Sequence, residues 1–177
     1  MINRTRDDRG LWRKALVAVP LIVVIGSLIG LASNSSEANV WFAQLAKPSF
    51  QPPGWAFGVV WTALYTMMGI ALAVIANEPR SAQRRTALGL FLAQLALNFA
   101  WSPIFFGGGM IDVGFLVILG MNVLVTMTII AFWQIRPLAG ALLIPYLAWL
   151  CIATALNHEI GRLNPGADKA PLDITGA

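Results

Sequence analysis

Five long stretches without a single charged residue constrain this chain more than any other feature. They run Ala15–Ala32, Phe57–Ala76, Ala87–Phe106, Val113–Trp133 and Leu138–Leu156, each 18 to 21 residues long. A hydrocarbon core of about 30 Å needs roughly 20 apolar residues per helical crossing. Transmembrane strands would instead show short segments of alternating polarity, and these stretches do not alternate. The sequence therefore predicts an all-α fold, a polytopic membrane bundle of five transmembrane helices. Composition agrees: 58% of the 177 residues are hydrophobic and 11% are charged. That is too few charges to clothe a soluble domain, and too much apolar surface for a disordered chain.

The stretches divide the chain into a basic N-terminal tail (1–14), a five-helix transmembrane domain (15–158) and a polar C-terminal tail (159–177) expected to fray. Arg9, Arg13 and Lys14 precede the first stretch as they would in a signal peptide. Its 18 residues exceed the 7–15 of a signal core, so it reads as a retained helix. The links Asn77–Thr86, Gly107–Asp112 and Gln134–Pro137 are short, which predicts an up-and-down bundle of sequential neighbours. The exception is Ser33–Ala56, at 24 residues. It carries Trp41, Phe42, Phe50 and Trp55 with Pro48, Pro52 and Pro53, which suggests a long ordered loop closing the bundle mouth. An aromatic belt at the membrane interface is the alternative. Arg4, Arg6, Arg9, Arg13, Lys14, Arg80, Arg84, Arg85 and Arg136 fall on one side, against Lys47, Arg162 and Lys169 on the other. In a cytoplasmic membrane that bias predicts a cytoplasmic N-terminus and an outside C-terminus.

Helical spacing sorts the remaining residues. Trp61, Tyr65 and Met68 share one face, as do Gln94, Asn98, Trp101 and Phe105, and Tyr146, Trp149, Ala153 and Asn157. A hydroxyl, amide or indole N–H needs a partner in lipid, so the stripes should face inward. They would line an aromatic cavity suited to a flat hydrophobic ligand, although packing and interhelical hydrogen bonding would explain the same stripes. Small residues mark other faces. Gly26 and Gly30 form one small-x-x-x-small pair, and Gly89, Ala93, Ala96 and Ala100 form a stripe roughly 130° from the Asn98 face. That stripe would pack on a partner subunit or on a helix of the same chain. No stretch holds an ionisable acid or base, so no coupled proton or ion path is predicted. One Cys (Cys151) and one His (His158) cannot build a protein-only metal site. His158 and Glu159 read as a solvated helix end. No nucleic-acid patch is present.

Four blocks then stand in order. They are Trp41-Phe42-Ala43-Gln44-Leu45-Ala46-Lys47-Pro48-Ser49-Phe50-Gln51-Pro52-Pro53-Gly54-Trp55, Phe57 to Tyr65, Gln94 to Gly107, and Pro145 to Asn157. Together they resemble the signature of the TspO/MBR family of tryptophan-rich sensory and translocator proteins. The resemblance implies five helices, a homodimer and an intramembrane pocket for protoporphyrin IX, haem and similar flat ligands. It implies ligand contacts by Trp41 and Phe42 from the loop, Trp61 and Tyr65, Asn98 and Trp101, and Trp149 and Ala153. It also implies a dimer contact at Gly89 and Ala93, on the small stripe that includes Ala96 and Ala100. Many members carry Tyr where this chain has Phe42, so that hydroxyl is missing. His158 replaces the Tyr of the proposed sterol motif, which argues against cholesterol.

Three functions are compatible with this reading. The first is a tetrapyrrole-binding sensor, regulator or carrier that needs no further cofactor. Lys47, the sole basic residue of the loop, would meet porphyrin carboxylates at the mouth. The second is a light- and oxygen-dependent porphyrin-degrading enzyme using Trp61 and Trp149. The third is a passive transporter of hydrophobic small molecules.

Overall fold

The computed structural model describes residues 8–169 and is all-helical over them apart from turns and loops. The elements are α1 (Asp8–Ala32), α2 (Val40–Gln44), α3 (Gly54–Ala76), α4 (Ala82–Ser102), a π-helical turn (Pro103–Gly107), α5 (Ile111–Ile135), α6 (Pro137–Ala141) and α7 (Ile144–Leu163). Among the described residues, five spans are long and apolar enough to cross a membrane, and α6 and α7 together make the fifth. The protein is an integral, multi-pass membrane protein. Arg4 and Arg6 of the basic tail, and residues 170–177 of the polar tail, lie outside the described residues. The helix begins at Asp8, so the second half of the expected basic tail extends α1.

Two breaks in the helices have a covalent cause. Pro103 and Pro145 lack the N–H that an α-helix interior requires. At Pro103 the chain widens into the π turn. At Pro145 the fifth span splits into α6 and α7, with the proline in the first turn of α7, where no donor is needed.

Neighbours in space are not simply neighbours in sequence. Helix α1 packs on α3, α4 on α5, and α5 on α7, while α3 and α4 touch only sparsely. The expected order of sequential neighbours is therefore corrected at the α3–α4 step. Side chains bridge that gap, and the space between them becomes the cavity described below. The α1–α3 contact depends on glycine. A Cβ on Gly69 would lie 2.7 Å from Val19 Cα, and one on Gly26 would lie 2.2 Å from the Tyr65 ring.

The two ends of the bundle differ. At the base, the Arg84 guanidinium donates to the Ile75 and Ala76 carbonyls at 3.2 and 2.9 Å, satisfying the orphan end of α3. Lys14 donates to Asn77 at 2.7 Å and Arg136 pairs with Glu78. These contacts gather cationic residues of α1 and the two base loops at one end. At the other end, α2 lies across the mouth as a lid.

The loop aromatics divide between the two readings of the sequence. Trp41 and Phe42 pack onto the π turn, with Trp41 5.5 Å from Phe105 and Phe42 5.0 Å from Phe106, edge to face. Phe50 and Trp55 are exposed, as interfacial anchors would be. The tail is not frayed where it is described. Asn164 accepts from Ala46 N–H at 2.7 Å and donates to Ala46 C=O at 2.8 Å. Asp168 accepts from Asp112 N–H at 2.8 Å, and Lys169 N–H donates to Gly109 C=O at 3.0 Å. Residues 164–169 thus strap the lid to the start of α5. Gly109 makes the turn there with a φ of +65°, a conformation other residues rarely adopt.

Candidate functional site: an aromatic cavity beneath the lid

A cavity of about 580 Å³ lies under α2, between α1, α3, α4, α5 and α7. That volume is within the roughly 300–1,000 Å³ typical of small-molecule sites. Its floor is a hydrogen-bonded chain across three helices. Tyr65 Oη donates to Asn98 Oδ1 at 2.9 Å, and Asn98 Nδ2 donates to Tyr146 Oη at 2.9 Å. Tyr146 Oη in turn lies 3.8 Å from Met121 Sδ. Each polar atom of this floor has a partner, so it stays rigid in an apolar medium. The chain also spans the thin α3–α4 contact.

The walls are aromatic. Trp61 tilts against Tyr65 at 5.2 Å and meets Tyr146 at 6.2 Å. Trp149 is held edge to face by Phe57 at 5.6 Å. Trp101 stacks on Phe105 at 4.9 Å and 14°, and its indole N–H donates to Gly114 C=O at 3.1 Å. Asn39 fixes the lid from two directions. Its Oδ1 accepts from Phe42 N–H at 3.1 Å, and its Nδ2 donates to Phe106 C=O at 3.2 Å. The small residues Gly30 and Gly58 line the α1 and α3 walls, and a Cβ on either would meet nothing within 4 Å.

Of the eight ligand residues expected from the sequence, Phe42, Trp61, Tyr65, Asn98, Trp101, Trp149 and Ala153 line this cavity. Trp41 does not. It stands behind Phe105, donates its indole N–H to Ala167 C=O at 3.1 Å, and has Lys169 Nζ 5.6 Å over its ring. It clamps the lid to the C-terminal strap. Gln94, expected on the cavity face, is instead buried in the core away from the lining. Phe57, Phe105, Phe106 and Asn157 line the cavity too. Phe57 lies one turn before Trp61, so helical spacing alone could have found it.

Lys47 is a correction. Its Nζ donates to the Phe42 and Leu45 carbonyls at 3.0 and 3.5 Å and lies 3.7 Å from a Glu37 carboxylate oxygen. A short helix ends just there, and its unpaired carbonyls take the ammonium. Lys47 is not part of the lining, whereas Glu37 is, and among the described residues the lining contains no Lys or Arg. The mouth therefore carries an acid rather than a base.

The small stripe on α4 faces largely outward among the described residues. Gly89, Ala93 and Ala96 are exposed, Ala100 is half-buried, and a Cβ on Gly89 would meet nothing within 4 Å. At the far end of α7, His158 is exposed beside Phe115, and Glu159 accepts from Arg162 at 2.9 Å.

Comparison with known proteins gives a consistent answer. The sequence profile of the TspO/MBR family matches residues 17–163. The human translocator protein is 39% identical over 144 residues, covering 80% of this chain and 85% of that one. A tryptophan-rich sensory protein of Cereibacter sphaeroides is 41% identical over 128 residues, covering 72% of this chain and 79% of its own. A tryptophan-rich protein TspO of Archaeoglobus fulgidus is 38% identical over 154 residues, covering 84% of this chain and 96% of its own.

Proposed function

The chain belongs to the TspO/MBR family, and from that premise we propose that it binds flat, hydrophobic tetrapyrroles in the cavity beneath α2, as a membrane sensor or carrier. The observation that supports this best is the cavity itself. It lies between membrane-spanning helices and has indole and phenyl walls on several sides. Such faces stack on an extended π system. A metal-free macrocycle such as protoporphyrin IX suits the lining. Among the described residues the lining contains no His or Cys, and its Tyr65 and Met121 are engaged in the floor. With Lys47 tied to the lid backbone, porphyrin carboxylates would project past the mouth into water, since burying them unpaired is costly.

The test is a protoporphyrin IX titration followed by tryptophan fluorescence, in wild type beside Trp149→Phe and Trp61→Phe. We expect saturable quenching near one ligand per chain, weakened in both variants beyond the lost emitter. Linear quenching in all three would mean partitioning into detergent and would overturn the reading.

The exposed small stripe supports a homodimer through α4, where two backbones could approach closely. Light scattering in detergent should return twice the mass of one chain; the mass of a single chain would remove this part of the proposal. In a cytoplasmic membrane, the cationic base would face the cytoplasm and the lid would face out.

A further inference from the structure

Two polar atoms of the lining have no partner, Oγ of the half-buried Ser35 and Oδ1 of the fully buried Asn157, and the second lies on a residue fixed in place. Asn157 is 2% exposed and belongs to the cavity wall. Its Nδ2 donates to Ile111 C=O at 2.9 Å, which fixes the orientation of the amide, because a flipped amide would set two oxygens against each other. Its Oδ1 is left buried without a hydrogen bond. The nearby Trp101 N–H is committed to Gly114 C=O. Gly114 keeps the spot open, since a Cβ there would lie 3.2 Å from Oδ1. A buried acceptor with no donor is costly, and that cost is recovered when a ligand supplies the donor. Glu37 at the mouth and the absence of a lining cation bear on the same question. Neither feature favours an anionic group at the buried end of a ligand.

We propose that Asn157 is a specificity-determining residue, selecting flat aromatic ligands whose buried edge offers a neutral N–H or O–H. In a porphyrin, whose inner N–H groups point into the ring, that donor would be one peripheral carboxyl group turned inward in its neutral form. This rests on the cavity being the ligand site, as proposed above.

Carbazole and dibenzofuran test it. They are nearly the same flat tricycle, one with N–H and the other with a ring oxygen that only accepts. Calorimetric titration of the detergent-solubilised protein should give carbazole roughly tenfold tighter binding than dibenzofuran. In Asn157→Leu, which keeps the volume and removes the amide, the two should bind within about twofold of each other. Equal, saturable binding of both by wild type would overturn the role of Asn157 and leave the cavity as the site. A tenfold preference that survives in Asn157→Leu would do the same. Saturable binding of neither tricycle would overturn the site together with the inference. If Asn157→Leu does not fold, Asn157→Ala takes its place, and the same loss of preference is expected of it.

Discussion

The lid half and the base half of this bundle are built from the same helices and almost the same amino-acid types, yet only one encloses a cavity. In the base half, Phe91 stacks on Phe132 at 5.7 Å and 12°. Ala71, Ala87 and Ala139 belong to one core cluster with Met68 and Ile75, all with no exposure. In the lid half, rings meet mostly edge to face around about 580 Å³ of space. Hydrophobicity does not separate the halves. Side-chain size does; unpartnered polar atoms occur in both, and Gln94 Nε2 and Oε1 lie in the closed part. Alanine closes the base, whereas glycine at positions 30 and 58 adds nothing to the cavity walls. The lid half also leaves Ser35 Oγ and Asn157 Oδ1 without partners beside the space. A membrane bundle has no bulk water to hold a cavity open. This one is kept open by withheld Cβ atoms, by the Tyr65–Asn98–Tyr146 floor and by a strapped lid.

The comparison breaks most sharply on an aromatic truncation in each half. Phe132→Ala removes a fully buried ring from close packing, and a loss of about 3–5 kcal/mol is expected. Trp149→Ala removes a half-buried ring that borders space, and should cost no more than about 2 kcal/mol. Thermal unfolding in one detergent should therefore show a much larger drop in Tm for Phe132→Ala. Porphyrin affinity should move the other way, falling steeply in Trp149→Ala and little in whatever fraction of Phe132→Ala stays folded. Equal drops in Tm would mean that the lid half is packed as tightly as the base.

A finer cut compares two glycines on α1, one turn apart. A methyl group on Gly26 would sit 2.2 Å from the Tyr65 ring, while one on Gly30 meets nothing within 4 Å. Gly26→Ala should push Tyr65 off Asn98 and cost about 1–3 kcal/mol, as overpacked cores do. Gly30→Ala should be neutral or slightly stabilising, since Ala is the better helix former by about 1 kcal/mol. Unfolding curves of the pair settle this, and a destabilised Gly30→Ala would show that the α1 wall is not open.

Much of this fold is legible in the sequence, and the limits have physical causes. Five spans followed from uncharged length alone, because lipid leaves the backbone few alternatives. The facing stripes followed from helical spacing, and their residues do meet, as Tyr65, Asn98 and Tyr146 do at the floor. Met68 and Gln94 are buried in the core rather than in the lining; Gln94 shows why. It lies one turn toward the base from Asn98, where the cavity has already closed. The π turn at Pro103 changes the period that spacing arguments assume, and Phe106 escaped notice for that reason. The role of Trp41 depends on Ala167, 126 residues away, in a polar tail whose composition carries no sign of docking. Lys47 turns to the Phe42 and Leu45 carbonyls at the end of α2, acceptors close to it in the chain, and not toward the cavity.

The smallest expected effect concerns charge at the boundary between the two environments. Glu37 is the acid at the cavity mouth, with its carboxylate 3.7 Å from Lys47 Nζ and 3.5 Å from Gln51 Nε2. Glu37 is exposed to water, so its field on a ligand carboxylate several ångströms away is worth only about 0.5 kcal/mol. Glu37→Gln should thus bind protoporphyrin IX roughly twofold tighter. The gain should shrink as salt is raised, and it should be absent for the uncharged dimethyl ester of the same porphyrin. Lys47 keeps its bonds to the Phe42 and Leu45 carbonyls in this variant, so the lid should stay closed. An equal gain for the diacid and the diester would place the effect in lid closure instead, because a charge term cannot act on a ligand that has lost its charge.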